Sequence, residues 1–265
     1  MLVIFGLEPN ISSNYTPNPN CFPYKNQLLY VIILFIIINP ITKRGAIMFK
    51  LFGDPANKAA ADAVLVRDPS NFNWTFITLL AFVFYIYWTE VRNKNYKVIV
   101  AGFALYSVHW FYEIMNAIIC HFSGYALWTV SNASSSFILL IGVSWELSMM
   151  FSIAGIISFK MLPDDRTKRY FAKDGKKGIS CKLTGAIGMA LLFSVFEIFL
   201  AWTPAFIWVY KWWGAIPVFI TTYIPFFLAS NYVPDASPKF QKCFLCGMIG
   251  LDVLLLAVLI PLGII

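Results

Sequence analysis

The chain has 265 residues, of which 59% are hydrophobic, 18% aromatic and only 12% charged, with a net charge of +7 and a mean hydropathy of +0.71. A soluble domain carries about 25% charged residues, so the composition excludes an ordinary soluble enzyme and points to a polytopic membrane protein. At about 20 residues per spanning helix the chain has room for six or seven spans and no sizeable soluble domain. The positive charge is therefore read as a topology signal and not as a nucleic-acid one.

The first 27 residues are rich in Asn and Pro, and an apolar run at 28–38 follows. That run is short for a span unless it extends to Ile41, and it equally suits a signal-type apolar region. From Met48 the sequence reads like a fresh start with a short amphipathic helix. Residues 1–47 are thus expected to be an N-terminal extension, a targeting segment or an extra span, and 48–73 an interfacial segment.

Six long apolar segments follow within 74–265, at 75–90, 98–120, 136–159, 183–202, 212–230 and 243–262. The expected fold is an all-α, multi-pass transmembrane bundle with six core spans and a seventh if 28–41 crosses. Alternate loops are basic. Arg92, Lys94 and Lys97 follow the first segment, and the loop bounded by Lys160 and Lys182 follows the third, while 123–135 has no Lys or Arg. By the positive-inside rule the loop from Lys160 to Lys182 is cytoplasmic. The expected address is an integral membrane: the plasma membrane in a prokaryote, the endoplasmic reticulum in a eukaryote.

Cys243 and Cys246 form a lone C-x-x-C at the start of an apolar run, read as two small apolar residues. Trp74, Trp88, Trp128, Trp202, Trp208, Trp212 and Trp213 lie near segment ends and read as an interfacial belt. Thr184, Gly185 and Gly188, and Ser148, Ser152 and Gly155, have spacings suited to close helix packing. Asn73 and Asn132 begin glycosylation sequons close to the expected membrane surface. Glu90 and His121 read as interfacial.

The polar residues inside the apolar segments are the informative ones, because an ionisable side chain at the bilayer centre costs about 2.5–3.5 kcal/mol. His109, Glu113, Asn116 and Cys120 share one helical face in the second segment. Glu146 lies in the third, Glu197 in the fourth, Thr221, Thr222 and Tyr223 in the fifth, and Asp252 in the sixth. With the topology above, His109 and Asp252 fall near the midplane, and Glu113, Asn116, Glu146 and Glu197 in the outer half. A shared depth for these groups suits acid–base catalysis or proton translocation. With two histidines in the chain and no Glu-x-x-His pair, neither a metal nor another cofactor is expected. No Lys stands mid-membrane in the last segment for a retinal Schiff base, and no aspartate-rich magnesium-diphosphate motif occurs. G-x-S-x-G, H-E-x-x-H and P-loop patterns are also missing.

His109 and Glu113 in H-x-x-x-E spacing, followed by Glu146, resemble the emopamil-binding (EXPERA) family of sterol isomerases. Trp145-Glu146 with a late Asp252 is similar, more faintly, to the membrane terpene cyclases. The first resemblance implies a lipid-sized cavity in which His109, Glu113 and Glu146 are catalytic and move a double bond by protonation and deprotonation. Asn116, Trp145, Glu197, Thr221, Thr222 and Asp252 would bind substrate, with Trp145 facing a carbocation. The expected function is a membrane-embedded isomerase or cyclase acting on an isoprenoid or sterol-like lipid. The alternatives are a proton-coupled transporter or channel, or a non-catalytic membrane subunit. The expected partners are the bilayer and a hydrophobic small molecule, with the oligomeric state left open.

Overall fold

A computed structural model describes residues 51–131, 137–172 and 178–265. The 1–47 extension, the 28–38 run and the Asn132 sequon lie outside the described residues. Helices dominate: α1 (Lys58–Asp62), α2 (Trp74–Arg92), α3 (Tyr96–Ser123), α4 (Trp145–Met161), α5 (Cys181–Ala201), α6 (Ala215–Val218), α7 (Ile224–Tyr232) and α8 (Pro238–Leu259). A π turn, Phe219–Tyr223, joins α6 to α7. Short strands accompany the helices: β1 (Trp128–Val130), β2 (Ile138–Leu140), β3 (Val143–Ser144), β4 (Arg169–Tyr170), β5 (Ile179–Ser180) and β6 (Phe206–Trp208). They pair in three antiparallel ribbons, β1 with β6, β2 with β3 and β4 with β5.

Helix starts follow the sequence closely. Asn73, Ser144, Ser180 and Ser237 each accept a hydrogen bond from the first-turn backbone of the helix that follows, removing one of its orphan N–H groups. The Ser144 cap moves the start of the third segment. Residues 138–144 are as apolar as the helix behind them but fold as the β2–β3 hairpin, and only Trp145–Met161 is helical. Apolar runs of this length do not by themselves separate strand from helix. Five stretches are long and apolar enough to cross a membrane: Trp74–Arg92, Tyr96–Ser123, Cys181–Ala201, Ala215–Asp235 and Pro238–Leu259. The 17-residue α4 is shorter and is buried along most of its length.

The central helix is α3, which packs against α4, α7 and α8, while α5 packs on α7 and the π turn. At the α3–α4 contact a Cβ on Gly155 would stand 2.5 Å from the Ala101 carbonyl oxygen and 2.9 Å from Leu105 Cβ. Gly188, grouped with Gly155 by sequence spacing, meets nothing within 4 Å. Tyr87 donates to the Ser152 carbonyl at 2.7 Å and the Tyr106 and Ser148 hydroxyls meet at 2.8 Å, tying α2 and α3 to α4.

One end of the bundle is basic and latched by ions. Glu90 is buried at the end of α2; it holds Lys160 Nζ at 2.5 Å and accepts from Asn95 at 2.8 Å. Asp235 sits between Lys97 (2.9 Å) and Lys182 (2.7 Å). Nearby, buried Asn231 accepts from Ser158 at 2.8 Å and donates to the Lys182 carbonyl at 3.2 Å.

The other end is capped. β1 and β6 run over it, and a strap at residues 51–54 holds β6 through Asp54 N to Trp208 O (3.2 Å) and the segment beyond it through Gly53 N to Trp213 O (2.8 Å) and Ala215 N to Leu51 O (3.0 Å). Arg67 takes a left-handed backbone (φ 56°). It is held there by its N–H to Ile138 O at 2.8 Å and its guanidinium to the main-chain oxygens of Leu139 (3.0 Å) and Ile265 (2.9 Å). The strained backbone costs about 1–3 kcal/mol, and these bonds keep it in place.

Gly155→Val will force α3 and α4 apart and cost about 1–3 kcal/mol as overpacking. Gly188→Val will leave stability unchanged. Thermal unfolding of the two purified variants in detergent compares them, and equal melting would contradict the helix contact described.

Candidate functional site

The site is built where the capped end meets the bundle. In β1–β6 the register places Trp128 directly opposite Trp208, so both indoles project from the same face of the ribbon. Each finds a buried carboxylate on a different helix. Trp128 Nε1 donates to both oxygens of Glu113 in α3, at 3.3 and 3.2 Å. Trp208 Nε1 donates to Glu197 Oε1 in α5 at 2.9 Å. Glu113 and Glu197 are 3% and 4% exposed. Neither has a Lys or Arg ion pair among the described residues.

Several neighbours fix this arrangement. Asn116, one turn from Glu113, donates to Trp128 O at 2.9 Å and accepts from Leu127 N at 2.8 Å, clamping the start of β1. Gly142 closes over the group. A Cβ there would lie 2.5 Å from Asn116 Nδ2 and Glu113 Oε2, and still nearer to Trp128 Nε1. Trp213 stacks on Trp128 with centroids 5.7 Å apart.

His109 lies one turn along α3 from Glu113, with Nε2 3.3 Å from Glu113 Oε1. The approach is close but not aligned as a hydrogen bond, and neither ring nitrogen has such a partner among the described residues. Its ring stacks on Phe151 at 4.2 Å and meets Phe226 at 5.8 Å. On the α5 side the Tyr223 hydroxyl faces Glu197, and Glu113 is a further electrostatic neighbour of both. Glu197 Oε2 has no aligned hydrogen-bond donor among the described residues. His109, Glu113, Asn116 and Glu197 therefore belong to one centre, joined by Trp128, Trp208 and Tyr223.

Other expected members stand elsewhere. Glu146 is in the first turn of α4 and half-buried, at a helix start and not mid-helix, and Trp145 packs on Phe76 at 4.5 Å. Asp252 is buried, but it shares its helix face with Leu255, Leu256 and Leu259, which pack beside Trp110, Ile114 and Ile118. That side of α3 is turned away from the His109 stripe. Thr221 is exposed and bonds back to the Pro217 carbonyl at 2.7 Å, whereas Thr222 is buried. Cys120 is half-buried and His121 exposed. Two shallow cavities, of about 330 and 250 Å³, are lined by Lys58, Tyr125 and Tyr210 and by Phe72, Trp74 and Ile77; neither touches the carboxylates.

Trp128 and Trp208 were read as an interfacial belt, and the structure buries both. The local signal available was their setting in the short strand-prone triplets WTV and FIW. Their partnership is set by pairing between residues 80 positions apart, which no local pattern encodes.

A model described as an uncharacterized membrane protein family matches residues 56–261. The chain belongs to that family. It is also 37% identical over 207 residues to an uncharacterized protein of Archaeoglobus fulgidus, covering 77% of this chain and 94% of the relative. No solved structure matches. These findings overturn the resemblance to the EXPERA isomerases and to the membrane terpene cyclases, since the family found is neither. The physical reason is plain: any inward polar helix stripe can give H-x-x-x-E spacing, and Glu146, the third residue of the match, sits at a helix start.

Trp208→Phe will remove the indole donor from Glu197 and destabilise the protein by about 1–3 kcal/mol, whereas exposed Trp212→Phe will be neutral. Gly142→Ala will displace Trp128 and shift its emission. Unfolding curves and tryptophan fluorescence measure both effects, and a silent Trp208→Phe would contradict the bond.

Proposed function

We propose that this family member is a six-span membrane protein whose buried carboxylates form an acid–base centre acting on an isoprenoid-type lipid. The supporting observation is the pair Glu113 and Glu197, on separate helices, each gripped by one indole of the same ribbon. In the six-span reading, α4 is a crossing helix at the lower end of the workable length, about 17 residues. The basic end with Lys97, Lys160 and Lys182 faces the cytoplasm, and the capped end faces outward.

Glu113 has His109 Nε2 beside it at 3.3 Å and takes the role of base. Glu197, which among the described residues accepts from Trp208 and is faced by the Tyr223 hydroxyl and by Glu113, takes the role of acid. Its proton adds to an alkene carbon, the π electrons forming the new C–H bond and leaving a carbocation on the neighbouring carbon. Phe151 and Phe226, which surround His109, present ring faces that stabilise such a cation. Glu113 then removes a proton from an adjacent carbon, and that C–H pair becomes the shifted double bond. Packing around Glu113 is tight, so substrate entry requires the ribbon to lift.

One observation favours a second reading, proton-coupled transport. The Ala215–Asp235 span is interrupted by the π turn between Pro217 and Pro225, and interrupted helices mark substrate and ion sites in transporters.

Lipid extracts of cells expressing wild type, Glu113→Gln or Glu197→Gln decide the matter. The enzyme reading expects an isoprenoid species that depends on both carboxylates. An unchanged profile contradicts it, and carboxylate-dependent proton uptake into proteoliposomes would then favour transport. Loss of stability with neither readout altered would leave a structural subunit.

A further inference from the structure

The hydroxyl and carboxylate oxygens around the π turn are incompletely used. Glu197 Oε2, Ser194 Oγ and Thr222 Oγ1 are all buried and have no hydrogen-bond partner among the described residues. Ser194 lies on the same face of α5 as Glu197, three residues earlier and about 5–6 Å away between Cβ atoms. Thr222 precedes Tyr223, whose hydroxyl faces Glu197, in the segment that packs on α5.

A buried serine or threonine in a helix ordinarily bonds back to a carbonyl one turn earlier, as Thr221 does to Pro217. Ser194 and Thr222 do not, although burial makes an unsatisfied hydroxyl costly. The π turn adds a further irregularity. Ile224 N donates five residues back to Phe219 O, and Pro225, next in line, has no N–H to give the Ile220 carbonyl.

Three buried oxygens without a hydrogen-bond partner among the described residues, one of them from a carboxylate with no Lys or Arg ion pair there, lie on α5 and on the π turn that packs against it. We infer that Glu197, Ser194 and Thr222, with backbone carbonyl oxygens of the π turn, bind a sodium-sized monovalent cation. Oxygen-only ligands select a hard cation, and a single carboxylate matches one positive charge. Among the described residues no cluster of three or more His, Cys, Asp or Glu is placed to hold a metal ion, which sets this site apart from a transition-metal centre. The π turn, followed by Pro225, leaves the Ile220 carbonyl without a helical N–H partner, and carbonyls released in this way from a helix ladder serve as sodium ligands where membrane helices unwind. Cation and proton exclude each other at Glu197, so sodium controls when that carboxylate carries a proton. The site stands on its own geometry and holds whichever reaction the acid–base centre serves.

Dicyclohexylcarbodiimide reacts with protonated carboxyls buried in membranes, and mass spectrometry locates the adduct. With the purified full chain, labelling of Glu197 is measured in sodium chloride and in choline chloride. Sodium at ten times its dissociation constant is expected to slow labelling about tenfold, as the free fraction falls. Thr222→Val and Ser194→Ala are expected to label normally in choline and to lose the sodium protection. Equal labelling in the two salts overturns the cation site, and full protection retained in both variants overturns the ligand set. Saturable binding of radioactive sodium to the wild-type protein is the second readout. Its absence overturns the proposal even if Glu197 resists the reagent. None of these outcomes depends on the lipid profile, so the two proposals fail separately.

Discussion

Two indole N–H groups, held side by side by the register of one short ribbon, set the conditions for the rest of this molecule. An ionised carboxylate deep in a membrane protein costs about 2.5–3.5 kcal/mol, and one hydrogen bond to a charged group returns about 1.5–3 kcal/mol. The Trp128 and Trp208 bonds therefore nearly offset the burial of Glu113 and Glu197 without removing it. The remainder falls to His109 beside Glu113 and Tyr223 facing Glu197.

The ribbon keeps its register because of what lies around it. β6 is flanked by β1 on one side and by the strap at residues 51–54 on the other, and Asn116 fixes the start of β1. Gly142 permits the hairpin to come down onto Glu113, Asn116 and Trp128. At the opposite end Glu90–Lys160 ties α2 to α4, and Lys97–Asp235–Lys182 ties α3 and α5 to the end of the Ala215–Asp235 span. Glu90 is buried but Lys160 is half-exposed, so losing that pair costs less than breaking a fully buried one. The bundle is thus closed by ions at one end and by a strapped aromatic cap at the other, with Glu113 and Glu197 held beneath that cap.

Much of this was legible in the sequence, for reasons tied to particular residues. Apolar length located the helices, and the helical period put His109, Glu113 and Asn116 on one inward face. The cost of burying Glu197 singled it out before any contact was known. What escaped depended on long-range pairing. The β1–β6 register, the Glu90–Lys160 pair and the Asn231–Ser158 bond join residues 70 to 80 positions apart, and local pattern carries no trace of them. Asp252 stands beside a different side of α3 from His109, because depth gives a layer and not a side. Residues 138–144 misled because an apolar run suits a buried hairpin as well as a helix.

The central claim is that Glu113 and Glu197 are coupled through the ribbon that carries their tryptophans. Indole ¹⁵N–¹H spectra of the protein in detergent, with Trp128 and Trp208 assigned by single Phe substitutions, address it directly. Glu197→Gln is predicted to shift the Trp208 indole resonance through the lost charged acceptor, and the Trp128 resonance through the paired strands. It is predicted to leave the exposed Trp74 and Trp88 signals in place. A Trp128 signal that ignores Glu197→Gln, or a Trp208 signal that does, would contradict the account.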